Sequence, residues 1–316
     1  YANIDGFDNH LPSVPIEKRP EIDRWILSLL NTLIENVKNS YEEYEPTRAG
    51  RLIQEFVMDH LSNWYVRLNR KRFWGGTMDD DKLAAYQTLH ECLLQISKLM
   101  APIAPFYAEK LFNDLGGYTL ENVESVHHAL FPSYKANFVD AALEERMQLA
   151  QDITSLVLSL RRKVNIKVRQ PLSKIMIPIL DKNFQTQIEK VKDIILTEVN
   201  VKELEFVDAN SGIIVKKIKP NFKLLGAKMG KHMKALTNQL NNLSQQEIQQ
   251  IEKQGHYVFN HEEKSFTITL DELEFLTQDM PGWLVASKGA LTVALDITVT
   301  DELKYEGVAR ELINRI

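Results

Sequence analysis

The run Asn63-Trp-Tyr-Val-Arg-Leu-Asn-Arg-Lys-Arg-Phe-Trp74, closed by Gly75-Gly76, sets four cations, Arg67, Arg70, Lys71 and Arg72, among aromatic residues with no carboxylate between them. Unpaired bases stack on aromatic faces for roughly 1 to 3 kcal/mol each while Arg and Lys hold phosphates, so this composition suits single-stranded RNA. Phe73 and Trp74, at the tip, are the expected stacking rings. A structural reading stands beside the functional one. Cations in the last turn of a helix meet the negative end of its dipole, for about 0.3 to 1 kcal/mol each.

A second stretch, Arg161-Arg-Lys-Val-Asn-Ile-Lys-Val-Arg-Gln-Pro-Leu172, reads as a helix end breaking into an extended basic strand. Pro171 keeps Gln170 out of the helical region. Arg161, Arg162, Lys163, Lys167 and Arg169 are expected to meet phosphates, and the Gln170 amide, which donates and accepts, to meet base edges. The alternative is a basic connection between domains. A third stretch, Lys216 to Lys234, holds seven lysines and no carboxylate, and reads either as a contact for an RNA stem or as a solubilising face. The net charge of -5 argues against nucleic-acid binding by bulk electrostatics. Three basic runs inside an acidic chain point to a shared anionic partner.

No Gly-x-Gly-x-x-Gly, no Gly-x-x-x-x-Gly-Lys-Ser/Thr and no Gly-x-Ser-x-Gly occurs, so dinucleotide, P-loop and serine-hydrolase sites of those kinds are not expected. His127 and His128 lack a third ligand nearby and read as a solvated turn. Cys92 is the only cysteine, which excludes disulfides within the chain and a thiolate metal cluster. No apolar run reaches the roughly 18 residues of a membrane span, and the opening residues do not form a signal peptide.

These side chains need elements to position them. Residues 1 to 18 lack periodicity and read as an extended lead-in; Pro20 opens a helix in which Ile22, Trp25, Ile26, Leu29, Leu33 and Val37 form an apolar stripe. A second helix is predicted over about 47 to 74, a third from Leu83 to Met100, and a fourth from Pro105 to Gly116-Gly117. Long helices joined by short turns mean an antiparallel bundle. After an irregular stretch, a helix from about Val139 to Lys163 packs back on it. Beyond Pro171 short β-branched runs appear at 175–180, 201–207, 213–218, 265–270, 283–287 and 291–297, with helices over 184–197, 228–241 and 244–254. A last helix runs from Asp301 to Ile316. The fold class is therefore α+β multidomain, a helical bundle followed by an α+β domain.

Asn63 to Trp74, then Leu99-Met-Ala-Pro-Ile-Ala-Pro-Phe106, Arg169-Gln-Pro-Leu172 and the opening Tyr1-Ala-Asn-Ile-Asp-Gly-Phe7, resemble the C-terminal part of isoleucyl-tRNA synthetases. The resemblance covers essentially the whole chain. The bundle alone resembles the anticodon-binding domain shared by class I synthetases for isoleucine, valine, leucine and methionine; the Phe73-Trp74 ending and the Arg169 to Leu172 segment favour isoleucine. The resemblance implies a lead-in at 1–19 from a missing catalytic domain, a helical anticodon-binding domain at 20–171, and a C-terminal α+β domain at 172–316 truncated at its end.

It further implies a cytoplasmic, monomeric ligase that uses ATP and magnesium to join isoleucine to its tRNA. Neither a His-Ile-Gly-His-like nor a Lys-Met-Ser-Lys-Ser-like motif is present, so this piece is expected to be non-catalytic, without cofactor or zinc, its catalytic and editing domains lying elsewhere. Its partner is then isoleucine tRNA, with anticodon bases near Phe73 and Trp74, phosphates on Arg67, Arg70, Lys71 and Arg72, and Arg161 to Gln170 approaching from the other side. Five neutralised phosphates would give a slope of log K against log salt of about -3.5. The competing readings are the same portion of a valyl-tRNA synthetase and a helical scaffold that binds protein and no RNA.

Overall fold

The computed structural model describes residues 2–8, 11–208, 215–261, 264–278 and 282–313. Backbone contacts divide the chain into two compact units, Tyr1–Glu145 and Arg146–Ile316.

In the first unit, helix α1 (Glu21–Glu42) follows Pro20 and buries Trp25, Ile26, Leu30, Leu33, Ile34 and Val37 along one face. Helix α2 (Pro46–Glu55) follows a short turn, in which Tyr44 takes a left-handed conformation (φ 59). The regular helix expected to Trp74 does not persist. Phe56–Val66 is wound as a π-helix, a turn intervenes at Asn69, and α3 (Arg70–Trp74) is a separate short helix. The wider winding shifts every later side chain around the axis relative to a 3.6-residue period. Of the two glycines expected to stop it, Gly75 is extended (φ -129) and Gly76 takes the left-handed conformation (φ 75). Helix α4 (Asp80–Met100) starts on Asp79, whose carboxylate accepts from the Lys82 amide at 2.8 Å. Helix α5 (Pro105–Asp114) carries its proline in the first turn and is followed by α6 (Gly117–Glu121). His127 and His128 are exposed in a short 3₁₀ turn. Helix α7 (Ala141–Lys163) passes through the division between the units.

In the second unit, β1 (Leu172–Pro178), α8 (Lys182–Val199) and β2 (Val201–Val207) form a parallel crossover, Leu172 opposite Val201. Later come β7 (Trp283–Lys288) and β8 (Leu291–Asp296), giving a sheet of order β2-β1-β8-β7 with β8 antiparallel to both neighbours. A second core contains Ile218, Leu225, Leu236, Leu240, Phe259 and Ile268. It lies among β3 (Val215–Pro220), α9 (Phe222–Met229), α10 (Met233–Asn241), α11 (Gln245–Gln254), β4 (His256–His261), β5 (Lys264–Thr269) and β6 (Leu273–Gln278). Residues 213 and 214 of the predicted strand, and 314 to 316 of the last helix, α12 (Asp301–Ile313), lie outside the described residues.

The predicted helix over 228–241 is broken at Gly230, whose backbone (φ 47) an L side chain rarely adopts. Strands β4 and β6 were not expected. Each is short and interrupted by polar residues, and each exists through its partner, β5 and β3 respectively. No helix among the described residues is long and apolar enough to cross a membrane.

Candidate nucleic-acid interface

Two basic surfaces result, one in each unit, and each divides into a withdrawn half and an exposed half. At the end of α3, Arg72 turns inward. Its Nη1 and Nη2 lie 2.7 and 2.9 Å from the two carboxylate oxygens of Asp23, which is fully buried at the start of α1. It also donates to Asn69 Oδ1 at 2.8 Å and to Asp81 Oδ2 at 3.0 Å. The Tyr65 hydroxyl completes the cluster by donating to Asp23 at 2.8 Å. Burial, and then the Asp23 charge, push that phenol well above its ordinary range. Against the desolvation that opposes it, the carboxylates hold the Arg72 guanidinium above its ordinary value. Arg72, expected on a phosphate, is therefore a bidentate structural pair.

Phe73, expected as a stacking ring, is only 6 % exposed and packs 5.3 Å from the Tyr86 ring. Arg67 is half-buried. What the helix end does present is Arg70, Lys71 and Trp74. Trp74 is 58 % exposed, with the Arg70 guanidinium carbon 5.4 Å from its ring centroid, within cation–π reach.

The second surface repeats the division. Arg161, in the last turn of α7, is 1 % exposed. It donates to the carbonyls of Lys167 at 3.2 Å, Gln170 at 2.9 Å and Asn200 at 2.9 Å, and so ties the helix end to the starts of β1 and β2. Burial pushes it down to about 10, far enough above neutrality that it stays charged. Gln170 also faces protein, donating to Leu303 O at 2.7 Å and Pro171 O at 3.1 Å. Its amide fills the space where a Cβ on Gly307 of α12 would stand, so a side chain at that position would have to displace it. The expectations that Arg161 meets phosphate and Gln170 a base edge are corrected accordingly: one satisfies carbonyls, the other braces α12. Arg162, Lys163, Lys167 and Arg169 are exposed. The last two share Glu311, at 3.9 and 3.3 Å.

In the third basic run, Lys228 donates to both Glu272 oxygens, at 2.9 and 2.8 Å, and to Thr267 O at 2.8 Å, a structural clasp. Lys217, Lys219, Lys223 and Lys234 are exposed, and the Lys216 side chain lies outside the described residues.

Sequence reasoning missed a cavity beside Trp74, of about 410 Å³, in which Phe7 and His90 join Phe73, Trp74 and Tyr86 on the walls. Phe7 belongs to the lead-in, whose lack of periodicity gave no sign that it packs; it stands 5.3 Å from Tyr86 and 6.1 Å from His90. Other exposed rings, Tyr44 and Phe106, sit elsewhere in the first unit. Tyr44 lies between Glu43 and Glu45, a poor setting for phosphate.

Residues 23–176 match the model of the anticodon-binding domain of tRNA ligase. Over its full length the chain is 58 % identical to part of the isoleucine–tRNA ligase of Bacteroides fragilis, and 57 % to that of Porphyromonas gingivalis. Identity to the isoleucine–tRNA ligase of Clostridium tetani is 36 %, again along the whole chain. The chain spans 28 %, 27 % and 30 % of these three relatives. Residues 23–176 are thus similar to the anticodon-binding domains of tRNA ligases, within a stretch of sequence that is similar from end to end to part of isoleucine–tRNA ligases.

Proposed function

We propose that this chain is the tRNA-gripping portion of an isoleucine–tRNA ligase, the whole of which joins isoleucine to its tRNA at the expense of ATP, with magnesium. The piece itself would carry out no bond chemistry. It would hold the anticodon stem-loop, and so place the distant acceptor end for catalysis elsewhere in the enzyme. The observation that carries this reading is Trp74, exposed at the end of α3 with Arg70 on its ring and Lys71 beside it. A ring for an unpaired base and cations for its phosphates stand within one turn of helix. Arg162, Lys163, Lys167 and Arg169 offer a second set. The hold of Glu311 on Lys167 and Arg169 is a surface pairing worth about 0 to 1 kcal/mol, small enough for a phosphate to replace.

Arg72 and Arg161 are withdrawn, whereas Arg70, Lys71, Arg162 and Lys163 are exposed, and each would meet a phosphate. Four single-strand phosphate contacts give a slope of log K against log salt of about -2.8. Filter binding of the chain to an isoleucine tRNA transcript across a potassium chloride series measures it. Arg70→Glu with Lys71→Glu should weaken binding and flatten the slope by about 1.4. A preference for a valine tRNA would transfer the reading to the valine enzyme. Absence of any complex at low salt would leave a helical scaffold instead.

A further inference from the structure

We infer that His232 and His261, in the second unit, form a two-imidazole seat for a divalent transition-metal ion of the zinc class. The inference does not depend on the tRNA-binding reading. His232 ends the 3₁₀ turn Gly230–His232 that joins α9 to α10, and His261 ends β4. The break at Gly230 (φ 47) comes two residues before the ring that faces the hairpin. Although 29 residues apart in the chain, the two histidines meet with their Nδ1 atoms 3.2 Å from one another and their rings nearly perpendicular, at 71°.

The spacing carries the argument. An imidazole nitrogen stands about 2.0 to 2.1 Å from zinc, so two of them lie roughly 3.3 to 3.4 Å apart in a tetrahedral shell and about 2.8 to 3.0 Å apart at a right angle. The observed 3.2 Å falls between these values. A neutral imidazole carries a proton on one nitrogen and a lone pair on the other. Two Nδ1 atoms turned together therefore either share one proton or, with both protons on Nε2, give both lone pairs to a single cation. The rings are held for that role. Phe259 stacks on His261 at 5.8 Å and 8°, and Phe266 stands 5.5 Å from His232, an apolar shell that fixes ligand orientation and limits water. His232 is only 6 % exposed whereas His261 is half-buried, so an ion enters past His261. Lys264, opposite His261 in the register, is exposed and long enough to turn to solvent. Among the described residues no group of three ligating side chains forms, so water completes the shell and the ion is exchangeable. Once bound, it fastens the turn end of the β4–β5 hairpin to the start of α10.

The test uses the 316-residue chain, free of any histidine tag, with zinc chloride and with cupric chloride. Zinc at about 10 to 100 times its dissociation constant should raise the melting temperature by roughly 3 to 10 °C. His261→Gln should abolish the rise, and circular dichroism of the metal-free variant checks that it is folded. His127→Gln combined with His128→Gln, which removes the exposed histidine pair of the first unit, should leave the rise intact. Hydrogen exchange should slow on adding zinc over 256–261 and 233–241. One equivalent of cupric ion should give an electron paramagnetic resonance spectrum coupled to two imidazole nitrogens, reduced to one or none in His261→Gln. A melt that zinc does not move, or moves equally in His261→Gln, would mean that the two rings only share a proton and would overturn the seat. So would a copper spectrum of the wild-type chain with a single imidazole coupling.

Discussion

Arg72 and Arg161 each belong to a basic run, the first at the end of α3 and the second in the last turn of α7, and both are withdrawn from solvent. They are compensated in different ways. Arg72 meets charge with charge, through Asp23 at 2.7 Å, and Asp81 adds a second carboxylate. Arg161 meets three carbonyl oxygens and no carboxylate, at the C-terminal end of a helix whose dipole also favours a cation. The contrast appears in their proton affinity. Carboxylates raise that of Arg72, whereas burial alone lowers that of Arg161. A guanidinium has five donors in a rigid plane, so it can serve as half of an ion pair or as a clasp on backbone, and lysine cannot replace it in either role.

The largest expected effect breaks the charged pair. Asp23→Ala leaves the guanidinium of Arg72 without its buried counter-charge, and Arg72→Ala leaves the buried Asp23 carboxylate with the Tyr65 hydroxyl and no cation; either should cost about 3 to 5 kcal/mol of stability. Urea unfolding measures it, and the affinity of the folded protein for tRNA should be unchanged. Lost affinity at undiminished stability would return Arg72 to the interface. Next comes the carbonyl clasp. Arg161→Met takes a donor from each of the three carbonyls; those of Lys167 and Asn200 keep the amides of Gln170 and Leu172, so the cost is that of the Gln170 carbonyl left unpaired, about 1 to 3 kcal/mol. Because no carboxylate is left behind, this loss should be smaller than that of Arg72→Ala; a loss of equal or greater size would mean that the two clasps do not differ as their partners suggest.

Much of this molecule is legible in its sequence. The stripes of α1 and α4, the prolines that open α2 and α5, and the change of period after Pro171 rest on local rules, and local rules operate before the chain folds. Which cations stay outside is not a local matter. Asp23 is 49 residues from Arg72, and the carbonyl of Asn200 is 39 residues from Arg161. The π-helical winding of Phe56–Val66 also carries no composition signal, yet it sets where Arg67 to Trp74 point. Of the twelve residues expected to touch RNA, Arg72, Phe73, Arg161 and Gln170 are occupied in structure for reasons that lie in distant segments. A run of four cations at a helix end is evidence of an anion nearby. It does not say whether the anion is a phosphate or the protein's own carboxylate.

A third pairing, weaker than either, sharpens the comparison at its exposed end. Asp5 meets Lys82 and the Tyr86 hydroxyl, and its carboxyl is held below the ordinary aspartate value of 3.8, first by the Lys82 bond and then by the Tyr86 bond. A carboxyl whose pKa is lowered on folding adds stability that is fully present above its unfolded value and is lost as the pH falls through the folded one. Asp5→Asn should therefore melt earlier than wild type at neutral pH, by a small margin, and the two curves should converge below pH 3.8. Hydrogen exchange over residues 2–8 should follow the same course, because what the pairing secures is the lead-in and its Phe7, not the bundle. If the difference between the proteins grows on acidification, the carboxylate is not what fastens this segment. The wall of the cavity would then rest on the Phe7 contacts with Tyr86 and His90 alone.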